Sequence, residues 1–339
     1  MIEIDGSTGE GGGQVLRTSA ALSVVTGEPV RIFNIRANRR KPGLRPQHLM
    51  VLKMLKELSG ARTSGLEVNS DEVTFEPGEL KGGSFCFDIG TAGSITLVFE
   101  ACILALSGTG EKVSLEVTGG TDVKWSPSWD FFGNVFVPLT ARMGLDVKAE
   151  LITRGHNPEG GGKGRIEVMP SKGLLPLVLD GGDAVNEVKG TVFLSNLPEH
   201  IAKRMRSAAV NILMKNGLNA SVNIHRTEPV STGTGITIWS VSDDRVLGAQ
   251  ALGERGVTAE KVAEMTVNEL MGDIVSGASI DVHSLDQMIP FMALCPEISS
   301  CKVRSISDHS STNMLVSEFF LGKRFDRSLE GELYRIRSG

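Results

Sequence analysis

The feature that most constrains the fold is a recurring order of β-like run, glycine loop and helical stretch along the 339 residues. Met1–Ile4 reads as a strand, Gly6–Gly13 as a glycine-rich loop, and Gln14–Val25 carries apolar residues at helical spacing. Val30–Ile35 is β-like, Pro46–Leu58 is an amphipathic helix with Leu49, Leu52 and Leu55 on one side, and Gly65–Val68 and Glu72–Phe75 are two further β-like runs. The order then returns as strand Phe85–Ile89, small-residue loop Gly90–Ser94, helix Ile95–Leu106, strand Val113–Thr118, helix Asp130–Met143, and strands Leu145–Leu151 and Gly164–Met169. Structural repetition is expected, although the residues barely match. A third copy is interrupted. Gly190–Leu194, Ser221–Ile224 and Gly235–Val241 read as strands and Pro198–Asn216 and Ala259–Val275 as helices, without a glycine loop, before Val282–Cys295, Lys302–Ser305 and the segment from Thr312 resume the order. The expectation is an α/β (α+β) fold. Residues 1–180 and 276–339 form a large domain of three βαβαββ-type units, and 181–275 form a small α/β domain inserted in the third.

Composition narrows the function classes. The formal net charge of −5 excludes a globally basic nucleic-acid binder, so any RNA site must be a local basic patch. The four cysteines, Cys86, Cys102, Cys295 and Cys301, form no CxxC pair, which argues against a zinc knuckle or a redox pair. Cys86 and Cys102 lie in apolar runs and are expected to be small buried hydrophobes. The start MIEIDGSTGEGGG has no basic and apolar signal-peptide pattern, and no apolar run is long enough to span a bilayer. No membrane association is expected, and a reducing cytoplasm is the expected compartment.

Five polar motifs stand out. In Gly6–Arg17, glycines free backbone N–H groups to approach an anion ahead of a helix N-terminus; the GK[ST] ending of a Walker loop is absent. Alone, such a loop is more often simply a turn. Glu10 among these glycines makes sense if it binds a metal ion held by a phosphate. In Asn34–His48, five cations fall between Arg36 and Arg45, either a solvated face or a phosphate-docking loop. Arg154–Lys163 is a second glycine-rich loop, which a wide turn between strands would also explain. In His283–Gln287, Asp286 and Gln287 are either first-turn residues favoured by the helix dipole or groups aimed at a nucleotide or metal. In Asp308–Asn313, His309 offers an imidazole able to attack phosphorus, although a lone histidine is more often structural. These residues by themselves describe a phosphate-handling α/β protein.

Taken in order, GEGGGQVLR, IRANRRKPGLRPQH, GTAGS, GGTD at Gly119–Asp122, RGHNPEGGG, SLDQ and DHSSTN resemble the RNA 3'-terminal phosphate cyclase family over essentially the whole chain. The resemblance implies three repeated units with an inserted domain, a fold shared with the enolpyruvyl transferases. It also implies ATP-dependent conversion of an RNA 3'-phosphate end to a 2',3'-cyclic phosphate, through histidine–AMP and RNA–ppA intermediates. His309 matches the nucleophile. Glu10 matches a carboxylate holding a divalent cation (Mg2+ or Mn2+) beside the ATP phosphates. Asp286 and Gln287 match the nucleotide-site pair, and Asp308 and Glu100 join the ATP-contacting set, with Glu100 where a glutamine is expected. Arg17, Arg36, Arg39, Gln47 and His48 match positions near the RNA or ATP phosphates. Two rivals stay open: a cyclase-like ribosome-assembly protein, which would lack the histidine, and a small-molecule transferase on the same repeat fold.

Overall fold

The computed structural model describes residues 1–339. The first unit runs β1 (Ile2–Asp5), α1 (Gly13–Thr26), β2 (Val30–Phe33), α2 (Pro46–Ser59), β3 (Arg62–Ser64) and β4 (Val73–Glu76). Its sheet order is β1-β2-β4-β3, with β1 and β2 parallel and the other pairs antiparallel. A parallel pair needs a crossover, which α1 supplies. Pro46 opens α2 where its missing N–H costs nothing, and Gly60 closes it in the left-handed region at φ 62°. Val51, Leu52, Leu55 and Leu58 face the core, while Lys53, Lys56 and Glu57 face solvent.

The second unit comprises β5 (Gly83–Asp88), α3 (Ile95–Ala105), β6 (Val113–Gly119), α4 (Trp129–Phe131), a π turn (Phe132–Phe136), α5 (Val137–Arg142), β7 (Val147–Thr153) and β8 (Gly162–Val168). Its order, β5-β6-β8-β7, and its strand directions match those of the first sheet position for position. Every residue of α3 is buried, as its largely apolar sequence requires, and this takes Thr96 and Glu100 into the interior as well.

Beyond it, Val178 bridges in parallel to Ser300. Then come β9 (Glu187–Ser195), α6 (Glu199–Lys215), β10 (Asn219–Thr227), β11 (Gly233–Val241), β12 (Val246–Leu252) and α7 (Ala259–Ser276), with sheet order β10-β9-β11-β12. The chain ends with α8 (Val282–Leu294), β13 (Ser300–Val303), α9 (Asp308–Leu321), β14 (Phe325–Glu330) and β15 (Leu333–Ser338), in a sheet ordered β13-β15-β14. The molecule is thus mixed α/β, of α+β type. It has two separate apolar cores: one of 59 residues, and one of 20 drawn, apart from Leu333, from Val188 to Ala278. No helix is long and apolar enough to cross a membrane.

Several local expectations need correction. The strand expected over Gly65–Val68 lies earlier, at Arg62–Ser64, because Gly65 takes φ 71° and turns the chain. β12 is absent from the sequence reading. Its run VLGAQAL is diluted by Gly248, which is glycine because a Cβ there would come within 2.6 Å of Val135. Cys86 is exposed, not buried: β5 is an edge strand, and its Phe85 and Phe87 turn inward while Cys86 faces solvent.

Candidate functional site

α1 packs against α2, α3 and α9, and this packing brings four helix N-termini to one cleft of about 520 Å³. Gly12, Gly13 and Gln14 come from the start of α1, and Gln47 and His48 from the first turn of α2. Ser94 caps α3, and His309 is the second residue of α9. Arg17, Arg36, Arg39 and Lys124 line the same cleft, and Glu10 is its one carboxylate. Unsatisfied N–H groups and positive dipole ends favour anions at each terminus, and the arginines add full charges. An acidic chain thereby holds a concentrated positive site.

Glu10 sits in the middle of this charge. Its carboxylate pairs with the Arg39 guanidinium, and its Oε2 lies 3.0 Å from Nδ1 of His309. The His309 side chain is 46 % exposed, which leaves its far edge open to a ligand. The glycine loop is pressed onto α9. Gly9 has φ 60°, and a Cβ there would come within 2.1 Å of Thr312 Oγ1. That approach lets the Glu10 N–H donate to Thr312 Oγ1 at 3.2 Å. The side chains just past His309 anchor α9 in turn. Ser310 donates to Asp286 Oδ1 at 2.7 Å, and Asn313 donates to the Asp286 carbonyl at 2.6 Å while accepting from Thr18 at 2.8 Å. The Ser307 hydroxyl, at the cap of α9, also donates to Asp286.

Beneath the cleft a small cavity is lined by Gln14, Arg17, Glu100, Gln287 and Asn313. Gln14 Nε2 and both Glu100 carboxyl oxygens are buried there without a protein partner. Burial pushes the Glu100 carboxyl up to about 8, against the pull of Arg17 and with a further push from Asp286. Arg17 is brought down to about 10 by burial, with Glu100 opposing, and stays charged at neutral pH. His48 is pushed down to about 3 by burial and by Arg17, Arg36 and Arg45, so its ring is neutral. Burial likewise raises the Asp286 carboxyl above its ordinary value, against the Ser307 and Ser310 hydrogen bonds.

Residues 8–327 match the model of the family described as RNA 3'-terminal phosphate cyclase. The chain belongs to this family. It is 42 % identical over 341 residues to the RNA 3'-terminal phosphate cyclase of Nitrosospira multiformis, covering 100 % of this chain and 96 % of that protein. It is 44 % identical to that of Pyrococcus furiosus (96 % and 95 % covered) and 43 % identical to that of Archaeoglobus fulgidus (95 % and 96 %).

Of the residues that the cyclase resemblance singles out, Glu10, Arg17, Arg36, Arg39, Gln47, His48 and His309 line the one cleft. Glu100 and Gln287 lie in the cavity below, and Asp286 is buried behind α9. Asp308 is exposed at the start of α9 and does not line the cleft. Asp286 is not a first-turn residue: Asp281 caps α8, accepting from the Ser284 N–H at 2.8 Å. The second glycine loop sits in the β7–β8 connection, where Arg154 is wholly buried and paired with Asp122 and Asp130 at 3.0 and 2.7 Å. Gln14, Thr18, Ser94, Lys124, Trp125 and Ser126 also line the cleft or support it, and residue type and spacing do not single them out. The one signal for the last group is a tryptophan beside a lysine in a polar loop just after GGTD.

Proposed function

We propose that this chain is an enzyme that activates the 3'-phosphate end of RNA with ATP and closes it to a 2',3'-cyclic phosphate, with His309 as the adenylylated nucleophile. The observation that carries this reading is the His309 Nδ1–Glu10 Oε2 pair at 3.0 Å, inside a cleft of helix N-termini and arginines. The Nδ1 edge of the ring faces the Glu10 carboxylate, whose charge favours the tautomer with the proton on Nδ1 and the lone pair on Nε2. Nε2 attacks the α-phosphorus of ATP, a P–N bond forms, and pyrophosphate leaves. Nδ1 keeps its proton, so the adenylylated ring is cationic and departs readily in the next step, while the Glu10 carboxylate balances its charge. An oxygen of the RNA 3'-phosphate then displaces His309 from phosphorus, giving RNA–ppA. The neighbouring 2'-OH attacks the 3'-phosphorus, AMP leaves, and the hydroxyl proton passes to solvent. That last step is intramolecular, which is why exchanging a poor leaving group for AMP suffices.

Arg17, Arg36 and Arg39 supply the charge that holds phosphates at the N-termini of α1 and α2. Asp286, through Ser310 and Asn313, fixes the α9 turn that carries His309. A neutral Glu100 carboxyl offers one donor and one acceptor to a base edge, as a glutamine side chain would, with Gln14 and Gln287 beside it. No cluster of three or more His, Cys, Asp or Glu side chains is poised to hold a metal ion. A Mg2+ or Mn2+ ion would be held by Glu10 together with phosphate oxygens of the nucleotide, where it would neutralise phosphate charge. On the same footing, residues 1–180 and 276–339 form the catalytic body of three repeated units, and 181–275 form the insert.

The test is incubation with ATP labelled at the α-phosphate. The wild-type chain is expected to take a covalent label and to convert a 3'-phosphorylated oligonucleotide. His309→Ala is expected to lose both, with an unchanged melting temperature. A variant that still takes the label would remove His309 as nucleophile.

A further inference from the structure

Trp125 is 96 % exposed, and its backbone takes φ 62°, where a bulky side chain is strained. An exposed indole stabilises the fold little, so neither exposure nor strain is explained by packing. Its position offers an explanation. Trp125, with Gln47, Val123 and Lys124, lies on the rim shared by the His309 cleft and a second crevice of about 470 Å³. That crevice runs between the β7–β8 connection at His156 and Asn157 and the insert at Thr232, Gly233 and Thr234. It is continuous in turn with a groove of about 670 Å³ along α6 and α7, sharing Asn157, Thr232 and Gly253. One trench therefore leads from His309, past the indole, to the insert.

We propose that this trench is the path of a single-stranded RNA 3' end, and that Trp125 is the platform on which a base upstream of the terminal phosphate stacks. The inference rests on the reading of the His309 cleft given above. Stacking on an indole suits a strand of any sequence, because every base has a π face. Lys124 beside it bonds Glu254 of the insert at 2.9 Å, with both side chains about half exposed. Such a surface pair is weak and can exchange its carboxylate for a backbone phosphate. Asn157 on the β7–β8 connection and Thr232 and Thr234 on the insert offer amide and hydroxyl groups suited to ribose 2'-OH contacts. The insert then forms one bank of the RNA channel while the large body holds the chemistry.

The experiment compares wild type, Trp125→Ala and Trp125→Phe in two assays. With ATP alone, all three are expected to form the protein–AMP adduct at the same rate. With a 3'-phosphorylated oligonucleotide, Trp125→Ala is expected to raise KM about tenfold with kcat little changed, and Trp125→Phe to restore most of the loss. An oligonucleotide abasic at the stacked position should lose as much with the wild type and nothing more with Trp125→Ala. Slower adduct formation in Trp125→Ala would assign the ring to ATP and overturn the proposal, as would an unchanged KM or additive losses. A wild-type chain that forms no adduct would instead sink the reading of the cleft itself, and the proposal with it.

Discussion

The two glycine-rich loops look alike as sequence and end in opposite places. Gly6–Gly13 runs into the N-terminus of α1, and its charged residue, Glu10, stands in an open cleft between Arg39 and His309. The loop that Arg154 opens joins two antiparallel strands; its Glu159 is exposed, while Arg154 itself is wholly buried, held by Asp122 and Asp130 and lying over the Phe193 ring at 4.6 Å. The element on the C-terminal side of a glycine loop decides its use. A helix start leaves N–H groups free for a ligand, whereas a strand consumes them in the ladder. In one place arginine lines an open cleft, and in the other it ties the β7–β8 connection to Asp122, Asp130 and Phe193.

The largest effect that would sharpen this contrast is on stability. Arg154→Met leaves two carboxylates buried without their cation and should cost about 3–5 kcal/mol of folding free energy. Chemical denaturation would show it, and adding Asp122→Asn and Asp130→Asn should recover most of the loss. The folded fraction of Arg154→Met should still take the AMP label from ATP at close to the wild-type rate. A variant as stable as wild type, or one that folds yet cannot be labelled, would erase the distinction between the loops. The reverse pattern is expected of Glu10→Gln, which keeps the shape of the glycine loop but removes the charge facing His309. Its label formation should fall about 100-fold with the melting temperature little moved, since losing one electrostatic partner of a developing charge costs on the order of 10²–10³ in rate. Normal labelling by Glu10→Gln would show that the 3.0 Å pair with His309 is incidental.

Much of this is legible in the sequence, for identifiable reasons. Amphipathic spacing in Pro46–Leu58 and the largely apolar stretch Ile95–Leu106 locate α2 and α3, because hydrophobic pattern reports directly on burial. β12 escapes because, with Gly248 set by a close approach, its only β-branched residue is Val246. In the site, His309 and the arginine loop can be named from their residue types. The roles of Ser310, Thr312 and Asn313 cannot, since each depends on a partner far along the chain: Asp286, Glu10 and Thr18. Trp125 goes unnoticed because exposure, unlike residue type, has no local signature. The first-turn alternative for Asp286 arises because Asp281, the actual cap, lies just outside the motif.

The smallest expected effect concerns Glu100, the buried counterpart of the partly buried Glu10. Its carboxyl is raised from the ordinary 4.5 to about 8, chiefly by burial, so the folded chain holds a proton that the unfolded chain has released over that range. Folding stability contributed here is therefore full below about pH 4.5 and declines as pH rises towards 8. Glu100→Gln is neutral at every pH and keeps one donor and one acceptor. It should label with AMP at the wild-type rate at pH 7, and its melting temperature should fall less than the wild type's between pH 6 and pH 8.5. The wild type should also lose affinity for ATP above about pH 8, where Glu100 ionises beside Asp286, while Glu100→Gln should not. Parallel pH profiles for the two chains would mean that Glu100 is ionised throughout, with Arg17 balancing it. The floor of the cleft would then be an ion pair like that of Arg154 rather than a neutral surface for a base.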